Sequence, residues 1–167
     1  MEGWIEMTRL EILAERIVDI GIIATIAIAV GSLWDAPIHI TSEHTFFSPA
    51  HLFIVASAFL FSLAGAVAYR MSRNAEAELR LRVRVVAAGG ATLFIALAIV
   101  DELWHLIFGF DQSGFSPPHL LYWSGILIEL FGLSMLEQWF AVKRLGALES
   151  LRMRARQFCI CACILLI

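Results

Sequence analysis

Four runs of apolar residues, each about as long as a bilayer is thick, constrain this chain more than any other feature: residues 17–34, 51–69, 85–105 and 119–142. A helix rises about 1.5 Å per residue, so even the shortest run reaches roughly 27 Å, close to the thickness of the hydrocarbon layer. The chain has 167 residues, of which 60% are hydrophobic and 16% charged, and its mean hydropathy is +0.81. A core of this size cannot absorb so much apolar surface in water. A soluble globular domain is excluded, and the expectation is an all-α integral membrane protein with four transmembrane helices, one membrane domain over residues 1–167. The formal net charge of −3 is no footprint for a nucleic acid, and none is expected as a partner.

Arginine and lysine set the orientation. Arg9 and Arg16 precede the first run, Arg70, Arg73, Arg80, Arg82 and Arg84 fill the middle connection, and Lys143, Arg144, Arg152, Arg154 and Arg156 follow the fourth. Segments 35–50 and 105–118 carry none. The positive-inside rule therefore puts the N-terminus, the middle connection and the tail in the cytoplasm, and the other two segments outside, in what we read as a prokaryotic plasma membrane. Met1 to Glu15 carries four glutamates instead of a basic signal-peptide start, so the first run is expected to stay as an anchor.

The outward segments contain a repeat. Asp35-Ala-Pro-Ile-His39 is followed by Phe47-Ser-Pro-Ala-His51-Leu52, and Asp101-Glu-Leu-Trp-His105 by Phe115-Ser-Pro-Pro-His119-Leu120. Two parallel-repeat hairpins are implied, over residues 17–69 and 85–142, related by an axis along the membrane normal. Asp and His four apart share a helix face. Ser before Pro starts the next helix, with the preceding Phe and following Leu placed for a hydrophobic staple. His51 and His119 fall in the first helical turn, where the dipole favours a neutral ring with an available lone pair. Asp, His and His make a three-ligand metal set with an open position. The competing readings are an Asp–His tie that holds the loop and a proton path.

The second frame, with Trp104 before His105, Asp111 in the loop, and Tyr122 and Trp123 after His119, resembles the C subunit of the copper membrane monooxygenases, the particulate methane and ammonia monooxygenases. In that family an Asp, a His four residues on and a second His after a Phe-Thr/Ser-Pro turn ligate copper. The resemblance covers about 25 residues and implies Asp101, His105 and His119 as copper ligands, with zinc the alternative metal. The family's subunit is longer and has more helices, so the resemblance implies a relative or accessory subunit that takes part in oxidation of a small substrate. Asp35, His39 and His51 would be a second or degenerate site, in which Pro37 is expected to interrupt the helix. Glu43 and His44 are read as solvated loop residues.

Two rival functions arise from the same residues: a b-type cytochrome with histidines as axial haem ligands, and a non-catalytic structural or assembly subunit. Other membrane subunits or further copies of the chain, and the bilayer itself, are the expected partners. Glu129 is expected near mid-membrane as helix–helix glue or a proton relay, while Asp19 and Glu137 reach for headgroups. Gly89, Gly90, Gly125 and Gly132 allow close helix contact. Trp34, Trp104, Tyr122, Trp123 and Trp139 read as interfacial anchors, Trp104 also as a wall beside the metal. Residues 145–156 read as an amphipathic helix on the cytoplasmic surface, ahead of an apolar tail with Cys159, Cys161 and Cys163.

Overall fold

The computed structural model describes residues 9–41, 47–109 and 115–143, together with Arg156 and Cys159. The side chains of Leu10, His39, Ile40, Thr41 and Lys143 lie outside that description, as do Glu43, His44, Asp111, Cys161, Cys163 and residues 144–155 entirely. All regular elements among the described residues are helical. They are α1 (Arg9–Thr41), α2 (Pro49–Met71), a 3-10 turn (Ser72–Asn74), α3 (Ala77–Ile95), a π-helical turn (Ala96–Val100), α4 (Asp101–Phe108) and α5 (Pro117–Lys143). Glu11–Ile38, Pro49–Asn74, Ala77–Phe108 and Pro117–Val142 are long and apolar enough to cross a membrane. They contain the four runs expected from the sequence.

Each helix extends beyond its apolar run, because hydropathy marks where lipid begins and backbone hydrogen bonding does not stop there. The largest difference is at Pro37, which does not interrupt α1: the helix continues to Thr41. A proline removes the bond to the carbonyl four residues back, here Leu33, and crowds that carbonyl, and one turn from the helix end this bends or weakens the helix without ending it. Asp35 and His39 therefore belong to one helix.

α1 packs on α2, α2 on α3, α3 on α5, and α5 back on α1, closing a ring of four rods. The tightest seam is between α3 and α5. A methyl group added at Gly89 would come within 2.5 Å of the Glu129 nitrogen, and one at Gly125 within 2.8 Å of the Leu93 nitrogen. Hydrogen in place of Cβ is what allows these backbones to touch. Ile17, Ile28, Phe61, Leu93, Leu130, Leu133 and Leu136 fill the interior, whereas Ile23, Leu33, Leu60, Leu106 and Phe131 stand exposed around it. Such an apolar exterior suits lipid and not water.

At the end where α2 turns into α3, Arg156 is buried among three carboxylates. Its guanidinium donates to Asp19 at 2.9 Å, to Glu15 at 3.3 Å and to Glu137 at 3.2 Å. This corrects the expectation that Asp19 and Glu137 reach for headgroups. A buried carboxylate near a membrane end is stabilised more by an internal guanidinium than by a long reach to water. Arg156 likewise faces the bundle and not the membrane surface; the rest of 145–155 lies outside the described residues. Tyr122 and Trp139, expected as anchors, are buried, while Trp34 is half exposed. Trp104 stacks on Phe108, with ring centroids 4.3 Å apart.

Candidate metal centre

The two Asp/His frames stand at the same end of the bundle, the end where α1 leads into α2 and α4 into α5. In the first frame Ser48 caps α2, its hydroxyl accepting from the His51 backbone N–H at 3.2 Å, with Pro49 in the first turn. The same hydroxyl donates to Asp35 Oδ1 at 3.3 Å. Asp35 Oδ2 lies 3.6 Å from His51 Nδ1, and the two side chains are only 7% and 4% exposed. A carboxylate of α1 is thus held against the start of α2. Phe47, just before the cap, is 77% exposed.

The second frame is assembled another way. Along α3 and the turn after it the buried positions are Leu79, Val83, Val86, Gly89, Gly90, Leu93, Ala96 and Leu97, spacings that keep one helical face inward. Continued as an α-helix the stripe would pass to Val100 and Trp104. The π turn at Ala96–Val100 inserts one extra residue, and the inward positions become Asp101 and His105. Their side chains are 9% and 6% exposed, with His105 Nδ1 lying 3.9 Å from Asp101 Oδ2. Asp101 Oδ1 is sealed from solvent and has no hydrogen-bond partner among the described residues. On the next rod Ser116 and His119 Nδ1 share a 2.7 Å hydrogen bond.

The close contacts of Gly89 with Glu129 and of Leu93 with Gly125 fix an antiparallel register, in which a step forward on α3 is a step back on α5. Continued to the loop end, it sets Asp101 level with the first turn of α5, the turn that carries His119. Neither pair of histidine and aspartate is at hydrogen-bond length, yet both spacings suit shared ligation. Two donors each about 2.1 Å from one ion at a tetrahedral angle stand roughly 3.4 Å apart, and a wider angle separates them further. Among the described residues no group of three or more His, Cys, Asp or Glu encloses a metal position. Asp101 and His105 are brought together, as are Asp35 and His51; His119 is placed at their level on α5, and the His39 side chain lies outside the described residues.

Two polar contacts deeper in the bundle carry signals that the sequence offered only in part. Ser32 on α1 and Tyr122 on α5 share a hydrogen bond of 3.1 Å. Thr25 on α1 lies 3.0 Å from Glu129 Oε1, and Glu129 is fully buried. Glu129 stands out in an apolar run, but its partner on α1 is a threonine that hydropathy does not mark. The chain matches no protein-family model, and comparison with curated proteins and with solved structures finds no similar protein.

Proposed function

We propose that this chain is an integral membrane metal-binding protein, related to the C subunit of the copper membrane monooxygenases, with copper as its metal and zinc as the alternative. In this reading the hairpins are a parallel repeat, the N-terminus is cytoplasmic, and the Asp/His frames face outward. Asp101, His105 and His119 hold the metal; Asp35, His39 and His51 form the second or degenerate site. The observation that carries the reading is Asp101 Oδ1, a carboxylate oxygen buried beside His105 with no hydrogen bond among the described residues. A sealed carboxylate oxygen without a donor is costly unless a cation or proton meets it, and carboxylate with imidazole is a donor set that copper and zinc both accept.

Copper held there would supply oxygen activation for the oxidation of a small substrate. The chain's own contributions are clear without it. The π turn aims Asp101 and His105 inward, Ser116 fixes the ring orientation of His119, and the apolar rods exclude water from the surroundings. The decisive measurement is metal content by mass spectrometry on protein purified from its membranes without chelator or added metal, beside the His105→Ala/His119→Ala double variant. Near-stoichiometric copper that disappears in the variant is the expected result; equal metal content in both would overturn the reading.

A second reading is favoured by one specific contact set. The Ser48–Asp35–His51 network joins α1 to α2 whether or not a metal binds. A structural or assembly subunit would need only such ties, and it would carry no metal in either protein.

A further inference from the structure

α2 and α3 meet through small residues, and their contacts fix a register. A methyl on Gly65 would lie 3.1 Å from the Ala87 Cα, and one on Gly90 would lie 3.2 Å from the Ser62 Cα. The rings of Phe59 and Phe94 pack with centroids 5.4 Å apart. On α2, Phe59, Leu63, Ala66 and Arg70 follow one another at steps of four, three and four. On α3, Arg80, Arg84, Ala87, Ala91 and Phe94 follow at steps of four, three, four and three. Such spacing keeps each set on one helix face, and the Gly65–Ala87 and Phe59–Phe94 contacts turn the two faces toward each other. Between them runs a groove on the outside of the bundle. Phe59 and Leu63 are half exposed, and Ala66, Arg70, Arg80 and Arg84 are exposed.

The mouth of the groove is basic. Continued toward the Ser72–Asn74 turn, the register sets Arg70 between Arg80 and Arg84 in height, about 3 Å along the axis from each. Among the described residues the side chains of Arg70 and Arg84 have no hydrogen bond or ion pair, and Arg80 donates to the Arg73 carbonyl oxygen at 3.0 Å. Arg82, on the flank of α3 toward α5, is occupied: it donates to Glu78 at 2.7 Å and to the Met135 carbonyl oxygen at 2.9 Å. Glu76 is the other carboxylate of this connection, one negative charge against Arg70, Arg73, Arg80 and Arg84. From Arg70 back to Phe59 the groove follows three turns of α2, about 16 Å of helix. That is the depth of one leaflet in a hydrocarbon layer of roughly 30 Å.

We propose that this groove binds one anionic phospholipid, its phosphate among Arg70, Arg80 and Arg84 and one acyl chain laid over the alanines as far as the Phe59–Phe94 pair. Guanidinium groups match phosphate oxygens with paired hydrogen bonds, and each basic side chain at headgroup level adds attraction for anionic lipid. A zwitterionic lipid brings its own ammonium, which the surplus of arginine repels. The occupant is a lipid and not a soluble phosphate because the basic mouth opens into an apolar groove, framed by two helices long and apolar enough to cross a membrane. The site lies at the end of the bundle opposite the Asp/His frames and needs no metal.

The test is native mass spectrometry of the full chain, extracted in mild detergent from vesicles of equal parts phosphatidylglycerol and phosphatidylcholine. One phosphatidylglycerol per chain should be retained, about tenfold or more above phosphatidylcholine. Arg70→Gln/Arg84→Gln should lose that preference. Arg9→Gln/Arg16→Gln removes the same charge from the same end of the bundle, outside the groove, and should keep it. Ala66→Trp fills the groove with every arginine in place and should also release the lipid; Ala66 is exposed, so the larger ring stays out of the interior. Helix content by circular dichroism should be unchanged in all three variants. Retention without headgroup preference would overturn the proposal, as would equal loss in the two arginine variants, the behaviour of a diffuse basic surface. Full retention in Ala66→Trp would overturn it as well, since a headgroup drawn by charge alone has no need of the groove.

Discussion

The two Asp/His frames share a sequence pattern and use it differently. In the first, aspartate and histidine come from different rods: Asp35 of α1 meets His51 of α2, with Ser48 bonding to both. In the second, Asp101 meets His105 one turn along the same rod, and Ser116 engages the His119 ring. The difference originates in one inserted residue. α1 delivers Asp35 inward as a continuous α-helix, whereas α3 needs the π turn to rotate Asp101 and His105 inward. The lesson is that equal spacing in sequence fixes which residues reach one end of a bundle, while helix phase decides which of them meet. The first frame is built as a tie between rods and the second as a presentation of donors.

The sharpest way to break that contrast is to remove the π turn. Deleting Ala98 should let the segment relax to a regular α-helix and turn Asp101 and His105 by about 100° away from the interior. Metal content should then fall to the level of the His105→Ala/His119→Ala variant, with helix content by circular dichroism unchanged. Retained metal would show that the inserted residue does not govern the second frame. The first frame has no such insertion, and a one-residue deletion in α1 before Asp35 should instead show itself as lost stability.

The next effect concerns the tie. His51→Ala leaves Asp35 buried beside an empty space, and taking a polar neighbour from a buried group costs about 1–3 kcal/mol in general. Here Ser48 still bonds to the carboxylate, so the lower part of that range is expected in reversible unfolding from mild detergent into denaturing detergent. His105→Ala should cost less, because its partner lies within the same helix and no contact between rods is lost. Equal destabilisation by the two substitutions would contradict the division into tie and presentation.

A substitution outside both frames tests whether the α3–α5 seam holds them level. Gly89→Ala puts a methyl where only 2.5 Å separates it from the Glu129 backbone, and overpacking of this kind costs about 1–3 kcal/mol. The same variant should lower metal affinity at the second frame, whose donors sit on the two rods being forced apart, and leave the α1–α2 tie intact. Crosslinking between engineered cysteines at the ends of α1 and α2 would report the second half of that expectation.

Much of this architecture is legible in residue order, and the exceptions have physical causes. Apolar runs announce the four rods because lipid demands hydrophobic side chains over a fixed length. The Ser-Pro start of α2 is equally legible, since a cap is local chemistry. Pro37 misleads because a proline near a helix end bends or weakens the helix without ending it. The π turn leaves no trace in composition: Ala96–Val100 is as apolar as its neighbours, and the extra residue is visible only in the helical phase of Asp101 and His105. The partner of Glu129 is hidden because Thr25 sits 104 positions away in an apolar run. Arg156 reads as a membrane-surface residue because nothing in the order of residues says that three carboxylates from α1 and α5 converge.

The smallest effect is the most discriminating, because it compares the same residue type in the two frames. Ser48 accepts from a backbone N–H and donates to a carboxylate on another rod, so Ser48→Ala removes both an N-cap and part of the tie. Loss of a serine cap typically costs about 1 kcal/mol. Ser116 contacts the ring nitrogen of His119, at 2.7 Å, and sets which nitrogen of the ring is left for a ligand. Ser116→Ala should therefore shift stability by less than Ser48→Ala but weaken metal binding more, in line with the roughly 10-fold or larger loss caused by removing a group that orients a histidine ligand. If the two serines behave alike in both measurements, the frames are equivalent after all, and the second loses its claim to be the metal centre.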